Sequence, residues 1–270
     1  MTRCLRAASA IVVGLGMIAA APAPVSLVSN RATYDVSLAS ALPGGVVAVR
    51  GRTVTEFRDT CDGWATTQRF LSDMTDAANN VSRSDFVITA WESKAGKLLT
   101  FDFTNMVDGQ VIEHRKGTAT RNDDGTVDVA LTVPREAHLQ LPAGTMFPTE
   151  QTVKVLQAAE AGRSEMNGSV FQGGDKTDLY VSTAAIGKPL PLAGALDDVP
   201  SGAADMLRGV QAWPVLMSYF SSSGDALTPE YEVSSRLYAN GIVGTMSLIY
   251  ARFTLSAKRT KIEPLSTPPC

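Results

Sequence analysis

Histidine and cysteine are scarce in this sequence, which holds two histidines and three cysteines among 270 residues. A serine–histidine–aspartate site requires a histidine base, and its common G-x-S-x-G turn is absent. We interpret His114, which lies in a charged run, as part of an exposed strand edge, and His138 as a surface or half-buried residue. Two distant histidines do not supply the three or four ligands of a zinc site, and no P-loop or H-E-x-x-H motif is present. The sequence therefore predicts a protein that is not an enzyme, with no catalytic residue, metal site or cofactor.

The acidic residues give two weaker signals for chemistry. The Asp123-Asp124-Gly125 segment resembles the start of a calcium loop, but without a completing acid it is typical of a hairpin turn. A carboxylate pair of the glycosidase type is compatible with 27 acidic residues, because so many acids always allow a spatial pair. No pattern in the sequence supports such a pair.

Positive charge is limited, with 24 Lys and Arg against 27 Asp and Glu and a formal net charge of −3. Domains that bind nucleic acid by neutralising phosphates are basic, so this class of partner is excluded. Hydrophobic residues make up 44% of the chain and charged residues 19%, which is a globular composition.

A long hydrophobic run occurs once, at residues 7–20, and it follows Arg3 and Arg6. Small residues come next, at 19–23. This order is typical of a secretory signal peptide, and fourteen residues are few for a membrane span. We predict a signal peptide over residues 1–23, cleaved between Ala20 and Ala23, and a periplasmic protein without a membrane span; an uncleaved anchor is the alternative.

The cysteine count predicts a structural disulfide. Cys4 leaves with the signal peptide, and Cys61 and Cys270 remain, so one intramolecular pairing exists in an oxidising compartment. The bridge would close a loop of about 210 residues, which the chain-entropy model values at roughly 5 kcal/mol as an upper figure. A reactive thiol pair is the alternative, but redox sites favour Cys-X-X-Cys spacing.

The rest of the chain is dominated by period-two alternation, which indicates half-buried strands. Turn residues such as Pro43-Gly44-Gly45 and Asp108-Gly109 separate the stretches at short spacing, so consecutive strands should pair antiparallel as a meander. Strands are predicted at 31–38, 46–57, 64–70, 85–92, 98–106, 111–121, 126–133, 168–172, 178–186, 215–220, 231–238, 242–250 and 253–262. Trp64 and Trp91 lie in or beside such stretches and are predicted to be core residues.

One segment predicts a helix instead. Thr149 is the expected N-cap, the helix covers 150–161, and Gly162 ends it. The stretch 187–211 is loop-like with one short helix around 203–208. Many strands and one main helix predict an all-β protein, with residues 24–270 as a single domain. The tail from Pro264 should lie extended across the surface to reach Cys61.

Several local motifs together point to a known family. They are Asp59-Thr60-Cys61-Asp62-Gly63-Trp64 with Gln68, Trp91-Glu92-Ser93, the 141–148 segment Leu-Pro-Ala-Gly-Thr-Met-Phe-Pro, Val170-Phe171-Gln172-Gly173, Trp213-Pro214, Tyr219-Phe220, Pro229-Glu230-Tyr231-Glu232, Asn240-Gly241 and the terminal Pro268-Pro269-Cys270. In this number and order they resemble the EipB family of bacterial periplasmic cell-envelope integrity proteins, over roughly residues 31–270.

The resemblance implies an antiparallel sheet that curls through more than one turn into an open spiral or half-barrel, with a helix packed in it. It also implies a disulfide between the Cys61 loop and Cys270, and a distant structural relation to periplasmic lipoprotein carriers and sigma-factor regulators. The expected role is envelope integrity and stress resistance without enzymatic activity. No catalytic motif is carried over.

Two hypotheses about the mechanism follow. The first is a factor that binds another periplasmic protein through an exposed sheet edge or loop surface. The second is a carrier or sensor that holds a lipid or lipoprotein acyl chain in the curled sheet. They differ in the inner face, because a carrier needs an apolar cavity of about 300–1,000 Å³, whereas a scaffold can fill its interior with side chains.

Overall fold

The computed structural model describes residues 25–174, 178–192, 204–223 and 227–270. In chain order the elements are β1 (Asn30–Ala41), β2 (Val46–Asp59), β3 (Gly63–Asp76), β4 (Val81–Ser93), β5 (Leu98–Val107), β6 (Gln110–Arg121), β7 (Val127–Val133), β8 (Ala137–Leu141), α1 (Pro148–Glu160), β9 (Glu165–Phe171), β10 (Leu179–Ile186), α2 (Ala204–Leu207), β11 (Ala212–Ser221), β12 (Tyr231–Tyr238), β13 (Val243–Tyr250) and β14 (Phe253–Pro264). The signal peptide predicted at residues 1–23 lies outside the described residues, and the assignment of residues 24–270 to one domain stays a prediction.

All fourteen strands form one antiparallel sheet, in the order β8-β7-β6-β5-β4-β3-β2-β1-β14-β13-β12-β11-β10-β9. Two meanders, β1 to β8 and β9 to β14, therefore join where β1 pairs with β14. The sheet is not closed, since β8 and β9 are its two ends. The predicted all-β class with one main helix is confirmed.

The sheet curls far enough for its ends to overlap. On β9 and β10, Val170 and Ala184 face the cluster around α1, whereas Phe171 and Leu179 lie on the opposite face. Phe171 packs against Phe101 of β5, with ring centroids 5.8 Å apart, and the same cluster contains buried side chains of β7 and β8. One end of the second meander thus lies inside the first meander, as the predicted open spiral requires.

Helix α1 packs inside this curl. Its side chains Val155, Leu156 and Ala158 are fully buried, against Trp213 and Val215 of β11 among others. Burying a valine or leucine side chain contributes roughly 1.5–3 kcal/mol, so the helix is held chiefly by its apolar face. The helix ends at Glu160, one residue before the predicted end, with Ala161 as C-cap; Gly162 follows, and its φ of 70° suits glycine.

The predicted N-cap at Thr149 is wrong. The helix begins at Pro148 with Phe147 as N-cap, and Thr149 already lies in its first turn. Proline suits the first helical position because its missing N–H has no partner there anyway. The side chain that satisfies the next N–H groups comes from β4, which a local capping pattern does not contain.

Two further expectations need correction. Strand β8 was not predicted, because its five residues follow Pro134, Arg135 and Glu136 and give too short an alternation. The prediction that Trp64 and Trp91 are core residues is wrong, since both are half-buried; the core tryptophan is Trp213, which is 5% exposed.

Cys61 and Cys270 are joined by a disulfide, with Cα atoms 5.6 Å apart. Cys61 lies in the turn between β2 and β3. The tail after β14 runs along Ser29, whose carbonyl accepts the Leu265 N–H and whose hydroxyl lies 3.2 Å from that of Thr267. The tail thus follows the extended surface path that was predicted.

Candidate ligand-binding lumen

The curled sheet encloses an interior space, the lumen, and helix α1 fills only part of it. A cavity of about 350 Å³ lies between the helix and the inner face of β1, β2, β3, β11, β12 and β13. Its lining consists of Leu27, Val28, Asn30, Ala32, Tyr34, Thr55, Phe57, Thr66, Gln68, Pro148, Thr149, Thr152, Val155, Val215, Met217, Val233, Ser235, Leu237, Asn240, Gly241, Ile242, Val243 and Met246. Its volume is at the lower end of the range of about 300–1,000 Å³ for ligand pockets.

No charged side chain is among these lining residues. Several polar groups of the lining have partners in the protein: the Asn30 amide donates to the Val28 carbonyl, and the Tyr34 hydroxyl donates to the Val243 carbonyl. A cavity with this lining can hold an uncharged apolar group, because a buried charge without a partner costs several kcal/mol.

The N-terminus of α1 borders the cavity and is held by the carboxylate of Glu92 on β4. The backbone N–H of Thr149 donates to Glu92 Oε2 at 2.7 Å, and that of Glu150 donates to Oε1 at 2.8 Å. Two of the N–H groups that a helix leaves without internal partners are thereby satisfied. The positive end of the helix dipole also favours a negative charge at this place.

Glu92 is only 2% exposed. Burial raises the pKa of its carboxyl from 4.5 to about 7, and the charge of Glu150 adds to the increase, while the N–H bonds from the helix act in the opposite direction. The site therefore contains an acid that changes its charge near neutral pH.

The side chains of Glu150 and Gln151 also hold the helix. Glu150 forms an ion pair with Arg121 of β6 at 2.7 Å and accepts the Phe147 N–H at 3.3 Å. The Gln151 amide donates to the Ser182 hydroxyl at 2.8 Å and accepts the Tyr219 hydroxyl at 3.3 Å, in a buried network. Side chains of β6, β10 and β11, together with Glu92 of β4, thus fix the position of α1 relative to the cavity.

Next to the cavity, five aromatic rings cross the inner face of the sheet from β10 to β14. This aromatic row consists of Tyr180, Tyr219, Tyr231, Tyr250 and Phe253. Tyr219 and Tyr231 are stacked with centroids 4.6 Å apart and an interplanar angle of 15°. Burial raises the pKa of both hydroxyls, so the row is neutral at physiological pH.

The two cysteines and the two histidines singled out from the sequence lie apart from this lumen, whereas Gln68, Pro148, Asn240 and Gly241 of the family motifs line the cavity. Cys61 and Cys270 are not among the cavity-lining residues. His114 lies on β6 with its Nε2 3.0 Å from Asp102, at the part of the strand that β7 does not reach, as expected for a strand edge. His138 is exposed on β8.

Sequence reasoning missed the role of Glu92, although it noted the Trp91-Glu92-Ser93 motif. A signal was present: Phe86, Ile88, Ala90 and Glu92 alternate along β4, and the first three are apolar. An acid at the fourth inward position of such a strand must find partners, because a buried carboxylate cannot remain unpaired.

The chain matches the protein family described as EipB-like over residues 21–266. The chain belongs to the EipB-like family. This EipB-like protein is 31% identical over 263 residues to the cell envelope integrity protein EipB of Brucella abortus, covering 94% of this chain and 90% of that protein. The resemblance inferred from the sequence motifs is confirmed.

A solved structure is similar as well. The crystal structure of a beta-barrel-like protein with a domain of unknown function, from Brucella abortus, superimposes with a TM-score of 0.80. The two are 29% identical, and the match covers 90% of this EipB-like chain and 100% of the other. The curled sheet is therefore shared with a protein solved by crystallography.

The described residues of this EipB-like chain contain neither a cluster of metal-binding side chains nor a membrane-spanning helix. Among them, no group of three or more His, Cys, Asp or Glu is arranged to hold a metal ion. No helix in the described ranges is long and apolar enough to cross a membrane.

Proposed function

We propose that this protein is an exported, non-enzymatic periplasmic factor that supports cell-envelope integrity and stress resistance by holding an apolar ligand in its lumen. The observation that carries the proposal is the cavity of about 350 Å³, which no charged side chain lines. Of the two hypotheses drawn from the sequence, a cavity of this kind favours the one in which a lipid or lipoprotein acyl chain is bound.

Three observations support the cellular part of the proposal. The 31% identical relative is named as a cell envelope integrity protein. The N-terminal 23 residues have the order of a signal peptide, which is cleaved on export. The disulfide between Cys61 and Cys270 suits an oxidising compartment such as the periplasm.

Native mass spectrometry of protein purified from the periplasm tests the binding. We expect a lipid-sized mass that co-purifies with the wild-type chain and is strongly reduced in Val233→Trp, whose indole ring takes up part of the cavity. Val181 is 46% exposed on the outer face of β10, so Val181→Trp is the matched control and should retain the adduct. A wild-type protein without any bound lipid, and unable to bind one on addition, would refute the proposal.

A second candidate function, binding of an envelope protein, is favoured by one edge of the sheet. Strand β7 pairs with β6 only from Lys116 onward, and in the described part of the chain no strand pairs with residues 110–115 on that side. Val111 and Ile112 there are 60% and 59% exposed. An unpaired edge with exposed apolar side chains can accept a strand of a partner.

Site-specific photo-crosslinking in cells tests this second candidate. A crosslinker at Ile112 should give a discrete protein adduct, whereas one at Val181 should not. Equal adducts at both positions, or none at Ile112, would count against a partner at this edge.

A further inference from the structure

The aromatic row lies directly next to the cavity on the inner face of the sheet. Tyr219 pairs with Tyr231 across β11 and β12, and the next inward pair, two residues along, is Met217 with Val233. Met217 and Val233 both line the cavity. An acyl chain that occupies the cavity and extends past Met217 and Val233 along β11 and β12 therefore reaches the aromatic row at Tyr219 and Tyr231.

Exposure increases along the row from Tyr219 to Tyr250. Tyr219, whose hydroxyl reaches helix α1, is 6% exposed, whereas Tyr250 on β13 is 38% exposed. Tyr231, which packs between them, is half-buried, and its hydroxyl forms hydrogen bonds with the Gln172 amide. Tyrosine rings are suited to a boundary at which one side is apolar and the other is wet. The row thus extends from beside the cavity to the protein surface at Tyr250.

The cavity volume limits how much can enter. An apolar cavity of about 150 Å³ accommodates one benzene molecule, so 350 Å³ holds on the order of fourteen carbon atoms. This corresponds to one acyl chain. The two or three chains of a diacyl lipid or of a fully acylated lipoprotein anchor exceed it.

Resting on the proposed function, we propose that the ligand is a single-chain amphiphile. One acyl chain of on the order of fourteen carbons occupies the cavity beside α1, and its polar end lies at the aromatic row. The buried part of the ligand is uncharged, because no charged side chain in the lining would neutralise a buried charge. The polar end remains in contact with water beside Tyr250.

A series of monoacylglycerols with octanoyl, decanoyl, dodecanoyl, tetradecanoyl and octadecanoyl chains tests the proposal. Below their micelle concentrations, affinity measured by calorimetry should rise about fourfold for each added methylene and level off near the tetradecanoyl chain. Native mass spectrometry should show one molecule bound. A di-tetradecanoylglycerol and a triacylated lipopeptide serve as probes with two and three chains and should bind at least tenfold more weakly.

Three variants separate the cavity from the aromatic row. Tyr250→Ser should weaken every monoacylglycerol roughly tenfold without moving the chain length at which affinity levels off. Ser235→Leu, within the cavity, should shift that point to a shorter chain, and it is a smaller change than Val233→Trp if the latter does not fold. Val181→Ser, on the outer face, is the matched control and should bind like wild type.

The outcomes distinguish this inference from the proposed function. If the two-chain or three-chain probe binds as tightly as the tetradecanoyl monoacylglycerol, the single-chain inference is wrong while the lumen remains a binding site. If Tyr250→Ser binds every probe like wild type, the polar end does not lie at the aromatic row. If wild type binds no probe, or if Ser235→Leu leaves the chain-length profile unchanged, the cavity is not the site and the proposed function fails as well.

Discussion

Replacing Glu92 by glutamine should change how the stability of this protein depends on pH. Because burial raises the pKa of Glu92 from 4.5 to about 7, the folded state binds more protons than the unfolded state between these values. Its contribution to stability is therefore complete at about pH 4.5 and below, and is lost as the pH rises towards 7. The difference between the two pKa values corresponds to about 3 kcal/mol.

Glutamine removes the charge but keeps the shape. Its carbonyl oxygen can accept one of the two N–H groups that Glu92 accepts from Thr149 and Glu150, while its NH₂ group cannot accept the other. Leaving one buried donor without an acceptor costs about 1–3 kcal/mol, and less than this relative to wild type at pH 5, where the neutral carboxyl of Glu92 also has only one carbonyl oxygen. We therefore expect Glu92→Gln to be less stable than wild type at pH 5, and to gain up to about 3 kcal/mol relative to wild type by pH 8.

Urea unfolding followed by circular dichroism at several pH values between 5 and 8 measures this difference. Glu160→Gln, at the exposed end of the same helix, is the control and should follow wild type throughout. Parallel stability curves for wild type and Glu92→Gln across this range would show that Glu92 does not titrate there, and the reasoning would be wrong.

Three further predictions concern stability, and urea or thermal unfolding checks each of them. Cys61→Ser/Cys270→Ser should keep its β-type circular dichroism and lose a few kcal/mol, less than the roughly 5 kcal/mol of the entropy model; an unfolded double variant, or one as stable as wild type, would contradict this. Trp213→Ala should cost about 3–5 kcal/mol because the ring is buried against α1, and Trp64→Ala clearly less because that residue is only half-buried; equal costs would refute the assignment of the core. Gly117→Ala should cost about 1–3 kcal/mol, since a Cβ there would overlap the Ala130 carbonyl and press on Phe101; a neutral effect would mean that β6 and β7 can move apart.

The strands were largely predictable because alternation is a local property. The inward positions of β1, such as Ala32, Tyr34 and Val36, are buried as their period-two pattern indicates. The turns between strands contain residues with positive φ, including Gly44 and Gly109, so the hairpins of the meander could be placed from turn chemistry.

The features that failed depend on contacts between distant residues. The true cap of α1 comes from Glu92, fifty-seven residues before Thr149, so the local pattern gave Thr149 a role that it does not have. Whether Trp64 and Trp91 are buried depends on what packs over the ends of β3 and β4 near Cys61, which their own strands do not determine. The cavity and the aromatic row arise only once the sheet has curled, which residue spacing alone does not determine.

The pairing of β1 with β14 has a consequence for the order in which the protein folds. Tyr34 pairs with Arg259, so the middle of the sheet forms between segments from opposite ends of the chain. During synthesis the first meander is complete while β14 has not yet emerged, and β1 then has an open edge beside β2. Contacts of such large sequence separation form slowly, and an unpaired edge is where strands of other chains add. The newly made protein is therefore most at risk of aggregation until its last strand arrives, and the disulfide at Cys270 can form only after that step.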